Sequence, residues 1–181
     1  MMPRPILSTL LMLAALVAIV SAPLLGTTEL APSDPQGRSA ADDCLAIVVN
    51  RSNPVENLSF TELRKVFKGE QSHWSNGRRV TVVMLESGKT ERQAVLSQIY
   101  QMDDKDYNSY FLHNIFTGEV HAAPVALASS ADVLKYVLNV QGAIGYVRTM
   151  DADESVKIVR VDGVLPCEKD YGIRLRAKAG K

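Results

Sequence analysis

Residues 79–99 have the sequence RVTVVMLESGKTERQAVLSQI, and this stretch decides the fold class. Residues 79–85 are a short apolar run rich in valine, which is typical of a strand buried on both faces. Ser87 and Gly88 then turn the chain into a helix with its apolar residues at 95–99, and Ser87 is the expected N-cap. A buried strand that leads directly into a helix predicts an α/β domain.

The rest of the chain alternates strands and helices in the same way. Ser59 and Glu62 form a capping box at the start of a helix that Gly69 ends. The other predicted elements are strands at 45–50, 142–147 and 156–161, a helix at 104–117 and a helix beginning at Ser129. We therefore expect one α/β domain over residues 44–162, with a mostly parallel sheet and helices on both faces, followed by a C-terminal tail at 163–181.

The N-terminal residues have the features of an export signal. Arg4 precedes an uncharged, largely apolar stretch at 6–25, and small residues at 20–22 offer a cleavage site. Pro23 hinders cleavage there, so a retained membrane anchor is the alternative interpretation of residues 1–22. Membrane contact is expected only in that case. Residues 23–43 are rich in Pro, Gly, Ser and Asp and are expected to be a linker. The sequence thus predicts an exported protein, periplasmic or at the cell surface.

The two cysteines of the chain, Cys44 and Cys167, lie near the two ends of the predicted domain. In an oxidising compartment, an even number of cysteines favours pairing. We therefore predict a Cys44–Cys167 disulfide; two separate buried thiols are the alternative.

Several classes of function are disfavoured by composition and motif spacing. The 20 basic and 20 acidic residues balance, and no basic run mixed with aromatics suggests nucleic acid as a partner. The Gly88-Lys89-Thr90 sequence lacks the earlier glycine of a phosphate-binding P-loop, since Val83 stands there. Ser87 lacks the flanking glycines of a hydrolase elbow. The histidines are too far apart for a zinc site, so we expect no metal. We likewise expect neither a cofactor nor catalysis.

The turn after the second strand is the predicted binding site. The first N–H groups of its helix, the hydroxyls of Ser87 and Thr90 and the cation of Lys89 lie together there, and helix starts of this kind attract anions. Arg92 can reach back to the same point and form a bidentate contact with an oxyanion. Glu86 argues against an anion, and a capped helix with a surface ion pair is the alternative. Asn50, at the end of the first strand, is a further candidate ligand.

The order of three motifs resembles a known protein family. NPVENLSFTELRKVFKGEQSHW at 53–74, VTVVMLESGKT at 80–90 and QGAIGYV at 141–147 are similar to the inserted lobe of bacterial periplasmic phosphate-binding proteins of the ABC-transporter type. They most resemble the short, single-lobe members described as phosphate ABC transporter substrate-binding proteins. The resemblance implies a periplasmic-binding-protein type II lobe and a Ser-Gly-Thr phosphate turn. This sequence departs from that turn, since Lys89 is inserted and Val83 occupies the position of an expected arginine.

Two functions follow as expectations. The first is recognition of a small oxyanion, phosphate or sulfate, by Ser87, Gly88, Lys89, Thr90, Arg92 and Asn50, without catalysis. The second is a protein-interaction module, because a lobe without its mate leaves a face that a partner protein or a second copy of the chain can cover.

Overall fold

The computed structural model of the protein describes residues 44–175. The predicted signal or anchor at 1–22 and the linker at 23–43 lie outside the described residues, as does the end of the predicted tail. No helix within the described range combines the length and the apolar character that a membrane span needs.

Five strands form the main sheet, in the order β4-β3-β5-β1-β6. The strands are β1 (Leu45–Asn50), β2 (Asn57–Leu58), β3 (Thr81–Leu85), β4 (Val125–Leu127), β5 (Ala143–Arg148), β6 (Val156–Ile158) and β7 (Arg160–Val161). β3 runs parallel to β4 and to β5, whereas β1 runs antiparallel to β5 and to β6. β2 and β7 form a separate parallel pair. Three of these five pairings are parallel, and the antiparallel ones both involve β1.

Four α-helices cover the sheet: α1 (Phe60–Lys68), α2 (Thr90–Val95), α3 (Asp104–Phe116) and α4 (Ser130–Asn139). α2 continues as a π-helical turn over Leu96–Tyr100, and a 3-10 turn spans Thr149–Asp151. α1 begins with the predicted capping box, in which the Ser59 hydroxyl accepts a hydrogen bond from the Glu62 amide. Ser129 caps α4 in the same manner through the Asp132 amide. These helix starts are confirmed.

The helices lie on both faces of the sheet, as predicted. On one face, Met84 of β3 accepts a hydrogen bond from the Tyr100 hydroxyl at its sulfur, and Tyr100 packs edge-on against Phe67 of α1 and Phe111 of α3. On the other face, Val83 lies beside Gly145 of β5, and the lack of a side chain at Gly145 lets α4 approach the sheet. Alternate residues of one buried strand therefore serve two helical layers. The α/β fold class is confirmed.

The last described residues pack against β1. The Tyr171 hydroxyl donates to the Leu45 carbonyl oxygen at 2.7 Å, the Leu45 amide donates to the carbonyl oxygen of Ile173, and Ile173 is fully buried. Cys44 and Cys167 form the predicted disulfide, with their Cα atoms 5.5 Å apart. The described residues after 162, which the sequence predicts to be a C-terminal tail, therefore pack against β1 without forming a strand of their own.

Candidate functional site

The end of β3 carries the predicted anion-binding turn. β3 ends at Leu85, residues 86–90 are exposed, and α2 begins at Thr90. Gly88 has a φ of 88°, a left-handed conformation that glycine adopts without strain, and it redirects the chain from strand to helix. The turn lies at the carboxyl end of β3 and leaves Ser87, Lys89 and Thr90 open to solvent.

Ser87 is not the N-cap that the sequence predicted. Lys89 occupies the N-cap position, in extended conformation, and no side chain of the described residues caps α2. The left-handed Gly88 delays the helix by two residues, which moves the Ser87 hydroxyl away from those amides. That hydroxyl instead donates a long hydrogen bond of 3.4 Å to Oδ1 of Asp104.

Arg92 is buried, with 4% of the residue exposed, and it reaches back to the end of β3. Its Nη1 donates to the Leu85 carbonyl oxygen at 3.0 Å, and its Nε donates to Asp104 Oδ1 at 2.9 Å. The guanidinium also lies over the Tyr107 ring, 4.6 Å from the ring centre. Arg92 therefore has three partners within the protein, and one of them is a carboxylate.

Arg92 bonds to the backbone of β3 at a point where β3 is no longer paired with β5. The pairing of β3 with β5 covers only Thr81 and Val82, so the later backbone groups of β3 on that side have no strand partner. The Leu85 amide donates to the Tyr146 hydroxyl oxygen at 3.1 Å, and the Leu85 carbonyl accepts from Arg92. Two side chains thus satisfy a buried strand end that the sheet leaves unpaired.

Asp104 is the site residue that the sequence analysis missed. It is the first residue of α3, its side chain is 40% exposed, and its Oδ1 is the atom on which Ser87 and Arg92 converge. Acidic residues in the first turn of a helix are ordinarily explained by the helix dipole, and Asp104 and Asp106 both stand there. Asp103 does cap α3 by accepting from the Asp106 amide. Because Asp103 performs the capping, the Asp104 side chain is available to the turn.

Buried phenols form the wall behind the turn. Burial raises the pKa of Tyr107 to about 12, against a smaller opposing effect of the Arg92 charge. Burial likewise raises the pKa of Tyr100 and of Tyr146 above the ordinary tyrosine value. All three phenols are therefore neutral in the physiological range. They offer no negative charge that would repel an anion.

A second ion pair lies beside the turn. Glu91, which is buried, accepts a hydrogen bond from Nε of Arg148, the last residue of β5. Glu86 was considered as a partner for Lys89 or Arg92, but no ion pair within residues 44–175 joins it to either of them. Glu86 is exposed and lines the same cavity as Ser87 and Arg92.

That cavity is open to solvent and has a volume of about 510 Å³. Its polar side is formed by Glu86, Ser87, Arg92 and Asn108. Its apolar side comes from α3 and from the segment that leads into β4. Because the cavity is open, solvent remains on one side of the turn.

Asn50 does not belong to this site. β1 is antiparallel to β5, and β5 is parallel to β3. Asn50, the last residue of β1, therefore lies at the end of the strands opposite to the turn after β3. Its side-chain amide donates to the carbonyl oxygens of Val137 and Leu138, and its Oδ1 accepts from Ser52. Asn50 is a buried structural residue that ties β1 to α4. The prediction that it is a ligand beside the turn is wrong.

The described part of the chain contains no group of three or more His, Cys, Asp or Glu residues that could hold a metal ion. No protein-family model and no curated protein matches the sequence.

Solved structures do match the fold. An ABC-type phosphate transport receptor from Vibrio cholerae is 25% identical, with a TM-score of 0.57 over 71% of this chain and 50% of that chain. A protein from Clostridium perfringens, assigned as a phosphate ABC transporter substrate-binding protein and solved with bound phosphate, is 23% identical, with a TM-score of 0.56 over 67% of this chain and 46% of that chain. PstS from Borrelia burgdorferi is 15% identical, with a TM-score of 0.53 over 68% and 49%.

The chain therefore spans about half the length of the structures it matches. This chain has the α/β fold of a periplasmic-binding-protein type II-like lobe, as found in phosphate ABC transporter substrate-binding proteins.

Proposed function

We propose that this protein binds a small oxyanion, with phosphate the first candidate, at the turn between β3 and α2. The observation that carries the proposal is the convergence of Ser87 Oγ and Arg92 Nε on one carboxylate oxygen of Asp104, at 3.4 and 2.9 Å. These donors already accommodate an anionic group. A phosphate or sulfate oxygen has the charge and hydrogen-bonding capacity to take the place of that carboxylate oxygen.

The surroundings of the turn support an anion in two further ways. Lys89 is exposed and has no ion-pair partner within residues 44–175, so its ammonium group is available. Among residues 44–175 no side chain caps the first amides of α2, so a ligand can accept hydrogen bonds from them. The phosphate-related names of the matched structures agree with this class of ligand.

The same geometry limits the affinity. An incoming oxyanion competes with Asp104 for Arg92, and Glu86 adds a second negative charge to the cavity wall. Solvent on the open side screens each contact. We expect a dissociation constant between about 100 μM and several mM, which corresponds to roughly 3–5 kcal/mol of binding free energy.

The proposal is binding without catalysis, and it places the protein outside the cytoplasm. The sequence from Arg4 through the apolar stretch at 6–25 is typical of export, and the Cys44–Cys167 disulfide suits an oxidising compartment. Fractionation of cells that express the full chain, with N-terminal sequencing of the recovered protein, tests both export and cleavage. Recovery of an unprocessed chain with reduced cysteines in the cytosolic fraction would contradict this part of the proposal.

Calorimetric titration of the oxidised protein with phosphate and with sulfate tests the ligand. Asp104→Asn removes the competing charge at the atom on which the donors converge, so it should tighten oxyanion binding several-fold. Asp106→Asn is the matched control, because it removes the same charge from the same helical turn without touching Ser87 or Arg92. Equal effects of the two variants would indicate general electrostatics rather than a site.

The absence of heat, together with unchanged amide chemical shifts at residues 86–92 in millimolar phosphate and sulfate, would remove the proposal. Asp104→Asn leaves Arg92 without its anionic partner and is expected to lower the free energy of unfolding. If the Asp104→Asn variant is folded, phosphate should raise its melting temperature more than that of the wild type, because ligand binding stabilises the native state.

A further inference from the structure

β4 is an open edge of the main sheet. It comprises Val125–Leu127 and pairs with β3 on one side, and within residues 44–175 no strand pairs with its other side. The Leu127 carbonyl oxygen accepts a hydrogen bond from the Glu86 amide. Because backbone groups alternate in direction along a strand, the N–H and C=O of Ala126 point away from β3. Ala126 is exposed, so both groups are available for pairing.

The β4 edge is short, with three residues, and it carries no charge. Residues 122–130 have the sequence AAPVALASS, which contains no charged residue. Natural edge strands are commonly protected by short length, lysines, inward-pointing charges, bulges or prolines. Here Pro124 precedes β4, and the strand itself is uncharged and regular. The edge can therefore receive another strand without charge repulsion.

An exposed apolar surface continues from the edge onto α3. Leu112 is 75% exposed and Phe116 is 91% exposed, and these two residues lie one turn apart on the helix. Leu112 and Ile115 line the same cavity as Ala126, so the helix face and the edge strand border one another. Large apolar side chains with this degree of exposure, grouped beside an open strand, are typical of an interaction surface.

We propose that the β4 edge and the Leu112–Phe116 face of α3 form a dimer interface, with a second copy of this chain as the partner. Two identical edges related by a two-fold axis normal to the sheet pair in antiparallel fashion. With Ala126 opposite its counterpart, the two residues exchange both N–H···O=C hydrogen bonds. The same axis keeps α3 on the same face of the joined sheet in both copies, so the two apolar helix faces lie side by side.

The neutral character of the edge favours a second copy over a different protein. Partner choice between unlike proteins usually depends on complementary charges, and residues 122–130 carry none. The outward N–H and C=O of Ala126 are one donor and one acceptor, so this edge is complementary to a second copy of itself across a two-fold axis. The small side chain of Ala126 also avoids a clash at the symmetry axis, where two identical side chains lie opposite each other.

The oligomeric state of the protein, purified after expression of the full chain, tests the proposal. Sedimentation velocity over a wide range of concentration should show a monomer–dimer equilibrium with a dissociation constant of roughly 1–100 μM, as for a small interface. Ala126→Pro removes the outward N–H without removing a hydrogen bond to β3, and edge strands accept proline in this orientation. This variant should dimerise at least about tenfold more weakly.

Leu112→Asp tests the helical part of the interface and should weaken the dimer to a similar degree. Met150→Asp is its matched control, because Met150 is 61% exposed and lies in the 3-10 turn after β5, away from β4 in the strand order. If Ala126→Pro does not fold, as judged by circular dichroism, Ala126→Lys replaces it and places two like charges opposite each other.

Three results would overturn the proposal. They are a wild-type monomer at every concentration, a dimer that Ala126→Pro or Ala126→Lys leaves unchanged, and equal effects of Leu112→Asp and Met150→Asp. A wild-type monomer that binds an extended peptide at β4 would identify another occupant. Slowed hydrogen exchange of the Ala126 amide at high concentration, lost in Leu112→Asp, would support the second copy directly. Oxyanion binding at the turn is not required for any of these outcomes.

Discussion

Asp104 Oδ1 lies 2.9 Å from Nε of Arg92, and this contact joins the first turn of α3 to the helix that follows β3. Arg92 is nearly buried, whereas Asp104 is partly open to solvent. Because Arg92 also donates to the Leu85 carbonyl oxygen, one guanidinium group ties together the end of a central strand and the starts of two helices. The contact has a structural role that is independent of any ligand.

Arg92→Lys should therefore destabilise the protein even though the charge is kept. A lysine ammonium cannot reproduce the planar set of donors that reaches Leu85 and Asp104 at once, and it cannot stack on Tyr107 as a guanidinium does. We expect a loss of about 1–3 kcal/mol in the free energy of unfolding, measured by urea denaturation. Arg78→Lys, at an exposed position, should change it by less than about 0.5 kcal/mol. Equal values for the two variants would contradict the structural role of Arg92.

Gly142 is expected to be intolerant of any side chain. A Cβ atom at this position would lie 1.9 Å from the Arg79 carbonyl oxygen, and the Gly142 carbonyl accepts hydrogen bonds from Trp74 Nε1 and from the Thr81 amide. The backbone is therefore held on both sides and cannot shift freely. Gly142→Ala should lower the free energy of unfolding by about 2 kcal/mol or more. Gly172→Ala, where the added methyl group meets no atom within 4 Å, is the control and should have little effect.

The disulfide is expected to be a main contributor to stability. Cys44 and Cys167 are 123 residues apart in sequence, so the bridge restricts a long loop of the unfolded chain. In the chain-entropy account, a Cys44→Ser/Cys167→Ser variant should lose up to about 4–5 kcal/mol. Thermal unfolding with and without a reductant measures this contribution. The reductant should lower the melting temperature of the wild type and leave that of the double variant unchanged, and an unaffected wild type would contradict the prediction.

Ser59 should matter for stability and not for ligand binding. Ser59→Ala removes the cap of α1 and should cost about 1 kcal/mol, whereas Ser109→Ala, within α3, should cost almost nothing. Hydrogen bonds from the Ser59 hydroxyl and backbone amide hold the pKa of Glu62 below its ordinary value of 4.5. The contribution of Glu62 is therefore present above pH 4.5 and is lost as the pH falls through the lowered pKa of the folded state. The difference in stability between wild type and Ser59→Ala should shrink over that acidic range.

Features that neighbouring residues determine can be predicted from the sequence, whereas features that depend on distant contacts cannot. The capping box at Ser59 and Glu62 is determined by neighbouring residues, and the structure confirms it. The cap assigned to Ser87 was wrong because the conformation of Gly88 decides where α2 begins. Asn50 was misplaced because the direction of β1 is set by its pairing with β5, which is distant in sequence.

Asp104 could not be recognised from the sequence for a related reason. An acidic residue in the first turn of a helix has an ordinary explanation in the helix dipole. Its approach to Arg92 depends on how α3 packs against the end of β3, and no spacing rule predicts that packing.

The last prediction concerns the charges around the turn. Lys89 is exposed at the start of α2, and Glu86 lies on the wall of the same cavity, so the two should act on a bound oxyanion in opposite directions. Lys89→Gln should weaken phosphate binding, and Glu86→Gln should strengthen it, each by roughly two- to fivefold at low ionic strength, since exposed charges interact by fractions of a kcal/mol. Both differences should diminish toward 0.5 M salt, where the screening length falls to a few Å.

Glu154→Gln, placed beside β6 at the far side of the sheet, is the control for overall charge and should leave the affinity unchanged. Titrations by calorimetry at two salt concentrations measure all four proteins. An affinity that is insensitive to salt, or an equal gain from Glu86→Gln and Glu154→Gln, would show that phosphate does not bind at this turn.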